Sequence, residues 1–390
     1  MVGYDDNNDD EYRYDVAIIG SGIVGLFISY MLIKMKEVKR LKILCIDKER
    51  SVALHASSRN SGVIHSGIHA KPGTLKAKLC VNGNRMMYTI LDTLLIPYRR
   101  CGMLIVCADD NISALEELQR RGYANGVGTM RLVYGDEIRR IERYAKTDIG
   151  LLVESAGVTD PITLAYRLYE HSRASGVEFM LKSTVIGIDE VVDGYRIEMV
   201  ERGEDSMYNV KRKVTAGIVV NSAGIHADDI ARMVGLKYTI YPCIGEYYII
   251  RSKPYIVNSL IYPAPTFDHR GIGIHLTKRL DGTIAVGPNA IYIDGKDEDS
   301  DEVKGKVNKS IDEFYSKASE MVEGISKEDL EYGYYGIRAR LAGYGSREEP
   351  DFVIEEHPTK FIHLIGIESP GFTASPAIAE YVVNMVRDRL

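Results

Sequence analysis

Residues 15–25, Asp-Val-Ala-Ile-Ile-Gly-Ser-Gly-Ile-Val-Gly, place the tightest constraint on what this chain folds into. A short apolar strand runs into G-x-G-x-x-G, an apolar helix (Leu26 to Lys36) follows, and a second strand (Leu41 to Ile46) ends in Asp47. Each glycine has its own duty. Gly20 permits the tight turn, Gly22 lets the backbone approach a pyrophosphate, and Gly25 lets the helix pack on the strand. The helix N-terminus presents unpaired N–H groups and a positive dipole end to the phosphates. Asp47 stands at the spacing that accepts from the adenosine ribose hydroxyls. The glycine pattern alone is weak, but in this strand–turn–helix–strand–acid context it predicts a Rossmann-like dinucleotide-binding unit in an α/β fold.

The chain has 390 residues, enough for two domains with their own cores. Its net charge of −6 argues against a general nucleic-acid binder. No apolar run approaches twenty residues, so no transmembrane span is expected. Residues 1–12 are acidic and polar and read as a disordered tail, not a signal peptide. The five cysteines (Cys45, Cys80, Cys101, Cys107, Cys243) show no CxxC and no zinc spacing. They read as buried or incidental thiols in a reducing compartment, with no metal site.

Beyond Asp47, His55 to His69 lacks a clean period and reads as an extended loop. Pro72-Gly73-Thr74 opens a helix with apolar residues at Leu75, Leu79, Met86 and Ile90. On it, Lys76 and Lys78, with Lys71 just before, read as solvated residues. Cys101 to Ala108 reads as a strand, and Ile112 to Arg121 and Asp136 to Arg143 as helices. Asp160-Pro161 supplies an N-cap and a first-turn proline for a helix to about Ala174. Strands follow at Val177–Leu181, Thr184–Ile188, Tyr195–Val200 and Lys213–Val220, then at Leu260–Tyr262, Gly271–Thr277 and Thr283–Val286. The charge run Asp294 to Asp301 reads as a solvated loop. A helix from about Glu302 to Met321, a strand at Phe361–Ile365 and a final helix from Pro376 complete the chain. The order implies a nucleotide-binding domain assembled from residues 13–95, 150–235 and 330–390. A mainly antiparallel-sheet, α+β substrate domain (96–149 and 236–329) is inserted between them.

Three further segments bear on the cofactor. They are Ile218-Val-Val-Asn-Ser-Ala-Gly-Ile-His226, Tyr335-Gly-Ile-Arg338, and Leu364-Ile-Gly-Ile-Glu368-Ser-Pro-Gly371-Phe-Thr-Ala-Ser375-Pro-Ala-Ile-Ala-Glu380. With Gly20, Gly22 and Gly25, they resemble the FAD-dependent oxidoreductases of the D-amino-acid-oxidase superfamily, over nearly the whole chain. The resemblance implies non-covalent FAD, with its ADP half on the first βαβ unit and contacts near Ala223 and Gly224. It places the flavin near Ser58, Asn60, Ser61 and Gly62 and the loop Gly366 to Gly371-Phe372-Thr373. A helix N-terminus there favours the negative charge of reduced flavin.

Two branches of that superfamily are similar. Asn60-Ser-Gly-Val-Ile-His65-Ser-Gly, Leu75-Lys-Ala-Lys-Leu79, Gly245-Glu-Tyr-Tyr248 and Gly287-Pro-Asn-Ala290 look like L-2-hydroxyglutarate dehydrogenases. Asp281-Gly282, Asp351-Phe-Val-Ile354 and Ser369 to Ile378 look like the short glycerol-3-phosphate oxidases and dehydrogenases. Ile244 stands where the hydroxyglutarate branch typically has Arg, and Arg270 where glycerol-phosphate enzymes place a basic residue. These two positions favour sn-glycerol 3-phosphate, oxidised to dihydroxyacetone phosphate.

Dehydrogenation of an alcohol needs a base for the hydroxyl proton and cations that fix an anionic end. His65 is the first candidate base, with His275 and His69 next. Arg338 is the anion clamp, because guanidinium offers a planar two-bond fork. Arg270 is a second contact. L-2-hydroxyglutarate oxidation, amine or amino-acid oxidation, and a non-catalytic flavoprotein remain as alternatives. Oxygen, a quinone or a carrier protein is the expected electron acceptor. The expected location is cytoplasmic, or the inner face of a membrane through peripheral contact where a quinone is the acceptor.

Overall fold

The computed structural model describes residues 13–35, 41–107, 112–203, 209–264, 273–346 and 348–390. The tail 1–12, Lys36, Ala108 and Arg270 to Ile272 lie outside the described residues.

The first of two large sheets grows from the motif. Arg13–Ile19 runs parallel between Ile43–Ile46 and the long strand Asn209–Asn221, and Glu178–Met180 adds parallel to Ile43–Ile46. Where they lie side by side, Val16–Ile19, Ile43–Ile46 and Ile218–Val220 are continuous apolar runs because both sheet faces are covered. Ile19 lies opposite both Ile46 and Asn221, and Asn221 lies opposite His363 of the parallel strand Phe361–Ile365. The carboxyl ends therefore finish level, which sets Gly20, Asp47 and Ser222 on one edge. Ligands of open parallel sheets bind at such an edge. An antiparallel meander, Ser183–Val191 with Gly194–Arg202 and Asn209–Asn221, extends this sheet.

The helix Ile23–Lys34 is apolar almost all round and accordingly buried. It packs with Leu75–Thr93, Pro161–Ala174 and Gly371–Arg387 over one sheet face. Fully buried Leu26, Phe27 and Leu32 each contribute about 1.5–3 kcal/mol. Caps set the ends of the flanking helices. Asp160 accepts from Ile162 N and Thr163 N, and Thr74 accepts from Ala77 N. Asp351 adds a long-range cap by accepting from Leu75 N (2.6 Å) and Lys76 N (2.8 Å).

The second sheet is mainly antiparallel. Its order is Ile291–Tyr292, Tyr241–Ile250, Ile284–Gly287, His275–Lys278, Leu260–Pro263, Met103–Val106, Ile149–Val153 and Met130–Tyr134, with Leu330–Arg340 also paired to Tyr241–Ile250. Leu260–Pro263 and Met103–Val106 pair in parallel. Ile149–Val153 and Leu330–Arg340 thus sit in this sheet, although boundaries near 150 and 330 assign them to the other part. A small sheet, Val63–Ile64 with Gly157–Thr159 and Tyr98–Arg99, lies apart from the two large sheets.

Four sequence expectations need correction. The helix expected over 302–321 is two, Asp301–Lys306 and Ile311–Met321. Asn308 between them is left-handed (φ +58°) and gives its N–H to the buried Glu246 carboxylate. The last helix starts at Gly371, not Pro376. The carbonyl that Pro376 leaves without a helical donor, Phe372 O, accepts from Ser375 Oγ at 2.6 Å. The charge run is solvated only in part: Asp294, Asp297 and Asp299 are exposed, but Lys296 and Glu298 are tied down. Lys296 Nζ pairs with Asp228 (2.5 Å) and Asp229 (2.8 Å), and Glu298 pairs with His55 Nδ1 (2.6 Å) and Arg59. Lys76 is likewise no solvated residue, for it pairs with Glu368.

Candidate active site and cofactor cradle

The carboxyl edge of the first sheet forms a cradle. Gly20 has φ +103°, and a Cβ there would stand 2.5 Å from Ser222 O and 3.0 Å from Ala223 Cα. Ser222 and Ala223 are therefore pressed against the glycine turn, and Gly224 follows at φ +57°. Ser222 Oγ bonds Ile19 O and Gly20 O, both at 3.0 Å. A Cβ on Gly25 would collide with Gly20 O, so helix and turn touch backbone to backbone. Gly22 differs: among the described residues its Cβ would meet only Ser57 Oγ, at 3.1 Å. Protein packing does not demand glycine at that position, whereas a phosphate laid over the backbone does. Asp47 stands beside this turn. One of its oxygens accepts from Ser21 N and Ser21 Oγ (2.6 Å each), and the other from Glu49 N.

The segment after Asp47 leads from the cradle to the second sheet. Ser57 Oγ accepts from Ile23 N at the first helix N-terminus. Ser58 Oγ bonds His55 O, and Asn60 braces the turn, donating to Ala56 O and Ser57 O and accepting from Gly62 N. Asn60 is thus a structural residue of this turn in the described contacts. Ser61 lies beside the Tyr247 phenol, which burial raises and Ser61 lowers slightly. Gly62, at φ +70°, lies against Thr159 O.

The C-terminal helix meets the segment from the other side. Gly366 turns the chain at φ +70°, Gly371 N donates to Glu368 O, and Phe372 follows in the first helical turn. Thr373 Oγ accepts from His65 N (2.9 Å) and donates to Val63 O (3.2 Å). Asn84 Nδ2 holds His65 O from the opposite side, at 2.9 Å. His65 is therefore fixed at both backbone groups.

His65, His69 and His275 converge on Tyr262, a fully buried residue. The Tyr262 ring stacks on His275 with centroids 3.9 Å apart, stacks on His69 at 6.0 Å and meets His65 edge-on at 6.3 Å. Burial holds His65 down to about 4 and both His69 and His275 to about 3, so all three are neutral bases at working pH. The same burial raises the Tyr262 phenol. Both His69 ring nitrogens, His275 Nε2 and the Tyr262 hydroxyl have no partner among the described residues. Such buried groups await a polar ligand or water.

Arg338 brings a cation to these rings, and its charge contributes to the depression of His275. Its Nη2 donates to Asn289 O (2.8 Å), and its Nη1 faces Cys243 Sγ (3.6 Å). No carboxylate pairs with it among the described residues. Gly245 makes room for it, since a Cβ there would stand 2.6 Å from Nη2. Glu246 Oε2 accepts from Asn289 Nδ2 (2.8 Å), joining the Gly-Glu-Tyr-Tyr and Gly-Pro-Asn-Ala segments beneath the guanidinium. Ile244 packs into a separate apolar cluster with Ile293, Val303 and Ile337. Arg270 lies outside the described residues.

The chain matches the family "FAD dependent oxidoreductase" (DAO) over residues 15–385 and belongs to it. Its cofactor is FAD, and the cradle above fits the ADP half. The chain is 31% identical to "L-2-hydroxyglutarate dehydrogenase, mitochondrial" of Mus musculus, across 95% of this chain and 88% of that protein. It is 30% identical to "Glycerol 3-phosphate dehydrogenase" of Caloramator mitchellensis, across 96% of this chain and 74% of that protein. The fold is shared with the FAD-bound L-alpha-glycerophosphate oxidase of Mycoplasma pneumoniae (TM-score 0.81, 24% identity, 96% and 95% of the two chains). No described helix is long and apolar enough to cross a membrane.

Sequence reasoning passed over Tyr262, Asn84, Asn289 and Glu368. Tyr262 carried no signal beyond its place in an expected strand. Asn84, a polar residue on the buried face of a helix, was the more readable clue, because a buried amide must find partners.

Proposed function

We propose that this protein oxidises the CH–OH group of a small anionic substrate. The observation that carries this reading is the convergence of three neutral imidazoles on one buried ring, with Arg338, a guanidinium paired to no carboxylate among the described residues, near enough to depress His275. FAD supplies the hydride acceptor when bound. His65 takes the hydroxyl proton, with its main chain locked by Thr373 and Asn84 so that the ring meets the substrate in one orientation. His275 and His69 offer hydrogen bonds to the remaining substrate oxygens. Arg338 binds the anionic end through its fork. The burial of Tyr262 and His275 lowers the local dielectric and strengthens the polar contacts beside them.

The substrate best suited to Arg338 together with Arg270 is sn-glycerol 3-phosphate, whose dianionic phosphate calls for two cations. L-2-hydroxyglutarate is the second reading. It is supported by the bonded pair Glu246–Asn289, because both segments are shared with that branch, and by the 31% relative. Ile244 does not weigh against it, since the side chain packs in an apolar cluster away from Arg338. The deciding experiment mixes the oxidised protein, without oxygen, with glycerol 3-phosphate, L-2-hydroxyglutarate or sarcosine and follows bleaching of the flavin. Bleaching by sarcosine alone, or by none of the three, refutes the proposal. Reoxidation by air or by a soluble quinone then identifies the acceptor.

A further inference from the structure

The loop between Phe361–Ile365 and Gly371–Arg387 carries a carboxylate that the reaction above does not use. Glu368 is largely enclosed, with its side chain 10% exposed. One oxygen pairs with Lys76 Nζ at 3.1 Å and the other with Arg340 Nε at 3.4 Å, from side chains 16% and 17% exposed. The two cations come from different elements. Lys76 stands in the first turn of Leu75–Thr93, the helix whose Asn84 holds His65 O. Arg340 ends Leu330–Arg340, the strand that carries Arg338 two residues earlier. Residues two apart share a strand face, and the Arg338 guanidinium lies against the Cys243 thiol. Arg340 is steadied further by Tyr292, whose hydroxyl accepts from Nη1 at 2.8 Å.

The loop is pinned through its backbone as well. Glu368 N donates to Gly366 O, and Gly371 N to Glu368 O. Two residues after Gly371, Thr373 holds His65 N. One carboxylate therefore ties together the helix that holds the His65 carbonyl, the strand that carries the anion clamp and the family's flavin-edge loop. Surface ion pairs contribute little, but an enclosed carboxylate shared by two cations fixes geometry, and away from solvent the removal of any one of the three charges changes the local field.

We propose that Glu368 is a positioning residue that couples the Arg338 clamp to the flavin-edge loop and sets the flavin reduction potential through its charge. The role in the clamp rests on the substrate reading above; the role in the potential rests only on FAD. Reduction adds negative charge to the flavin, so removing a nearby anion favours the reduced form, and removing a nearby cation disfavours it. Glu368→Gln should retain FAD and shift the midpoint potential, measured by dye equilibration, to a more positive value. Lys76→Met should shift it to a more negative one. For whichever of glycerol 3-phosphate and L-2-hydroxyglutarate the wild type oxidises, Glu368→Gln should raise KM at least tenfold and change kcat less. If Glu368→Gln does not retain FAD, Lys76→Met and Arg340→Gln decide by the same potential measurement, both moving negative. An unchanged potential in Glu368→Gln, or shifts of the same sign in Glu368→Gln and Lys76→Met, overturns the proposal. Wild type that oxidises neither substrate overturns the substrate reading instead and leaves the potential to judge Glu368.

Discussion

Four desolvated imidazoles, His275 and His363 buried and His65 and His69 partly so, should make this protein sensitive to acid. Burial holds His65 and His363 to about 4, and His69 and His275 to about 3. In the unfolded chain each titrates near 6.5. As pH falls, the unfolded state takes up protons first, so the stability tied to each neutral ring is present above pH 6.5 and lost below it. At pH 5 an unfolded histidine is almost fully charged while these four stay neutral. At about 1.4 kcal/mol per pH unit, each loses about 2 kcal/mol between pH 8 and pH 5, and the four together about 8 kcal/mol. That rivals the whole stability of a typical domain, about 5–15 kcal/mol. His55 works in the opposite sense. Glu298 and Glu49 raise it, so its pairing is intact below 6.5 and is lost as pH rises, which offsets part of the effect. Urea unfolding of the flavin-loaded protein, followed by circular dichroism, should give a much lower midpoint at pH 5 than at pH 8. His363, between Asn221 and His357 O, lies outside the ring cluster and isolates a single site. His363→Gln should lose about 2 kcal/mol less than wild type between the two pH values. Equal midpoints at pH 5 and 8 in wild type, or an unchanged pH dependence in His363→Gln, would refute the reasoning.

Gly22→Val should give a folded but colourless protein, since only Ser57 Oγ stands near the new side chain and the phosphate space is filled; a flavin-to-protein ratio checks it. In wild type, acid precipitation should leave FAD in the supernatant. His65→Ala should keep FAD and slow anaerobic flavin reduction by about 10²–10⁴-fold, as loss of a general base does; an unchanged rate moves the role to His275 or His69. Arg338→Lys should weaken substrate binding about ten- to a hundredfold, because a point charge replaces a fork. Arg270→Leu should harm glycerol 3-phosphate oxidation more than any L-2-hydroxyglutarate activity, and equal losses on both would remove Arg270 from phosphate recognition.

The legible parts of this molecule were the local ones. The glycine turn, the Asp160 cap and the Thr74 cap each complete their work within a few residues, so spacing alone reveals them. What spacing could not show were contacts made by topology. Tyr262 and His275 come together because adjacent antiparallel strands pair Leu260–Ile261 with Leu276–Thr277, and His65 arrives from about 200 residues away. The acidic run misled for the same reason. Its composition suits water, but Lys296 and Glu298 find partners on distant segments. Asn308 broke an otherwise helical pattern only because Glu246, sixty residues upstream, needed its N–H.

Among the described residues no carboxylate pairs with the ring cluster, and this has a kinetic consequence. With desolvation as its one resolved influence, His65 in the free protein is a weak base, held near 4 by burial. A bound anionic substrate changes that setting, because a nearby negative charge favours the protonated imidazole. At about 4 Å and an effective dielectric near 20, one anionic charge is worth about 4 kcal/mol, or about three pK units. Substrate binding would then lift His65 into the range where a base works best at neutral pH. The free protein sets the acid limb of the second-order rate of flavin reduction, and the complex sets that of the limiting rate at saturation. The first should fall off near pH 4 and the second at distinctly higher pH. Anaerobic stopped-flow measurements across pH 4–8 separate the two. Coinciding limbs would mean that the substrate's charge does not reach the base, and would place the anionic end away from His65.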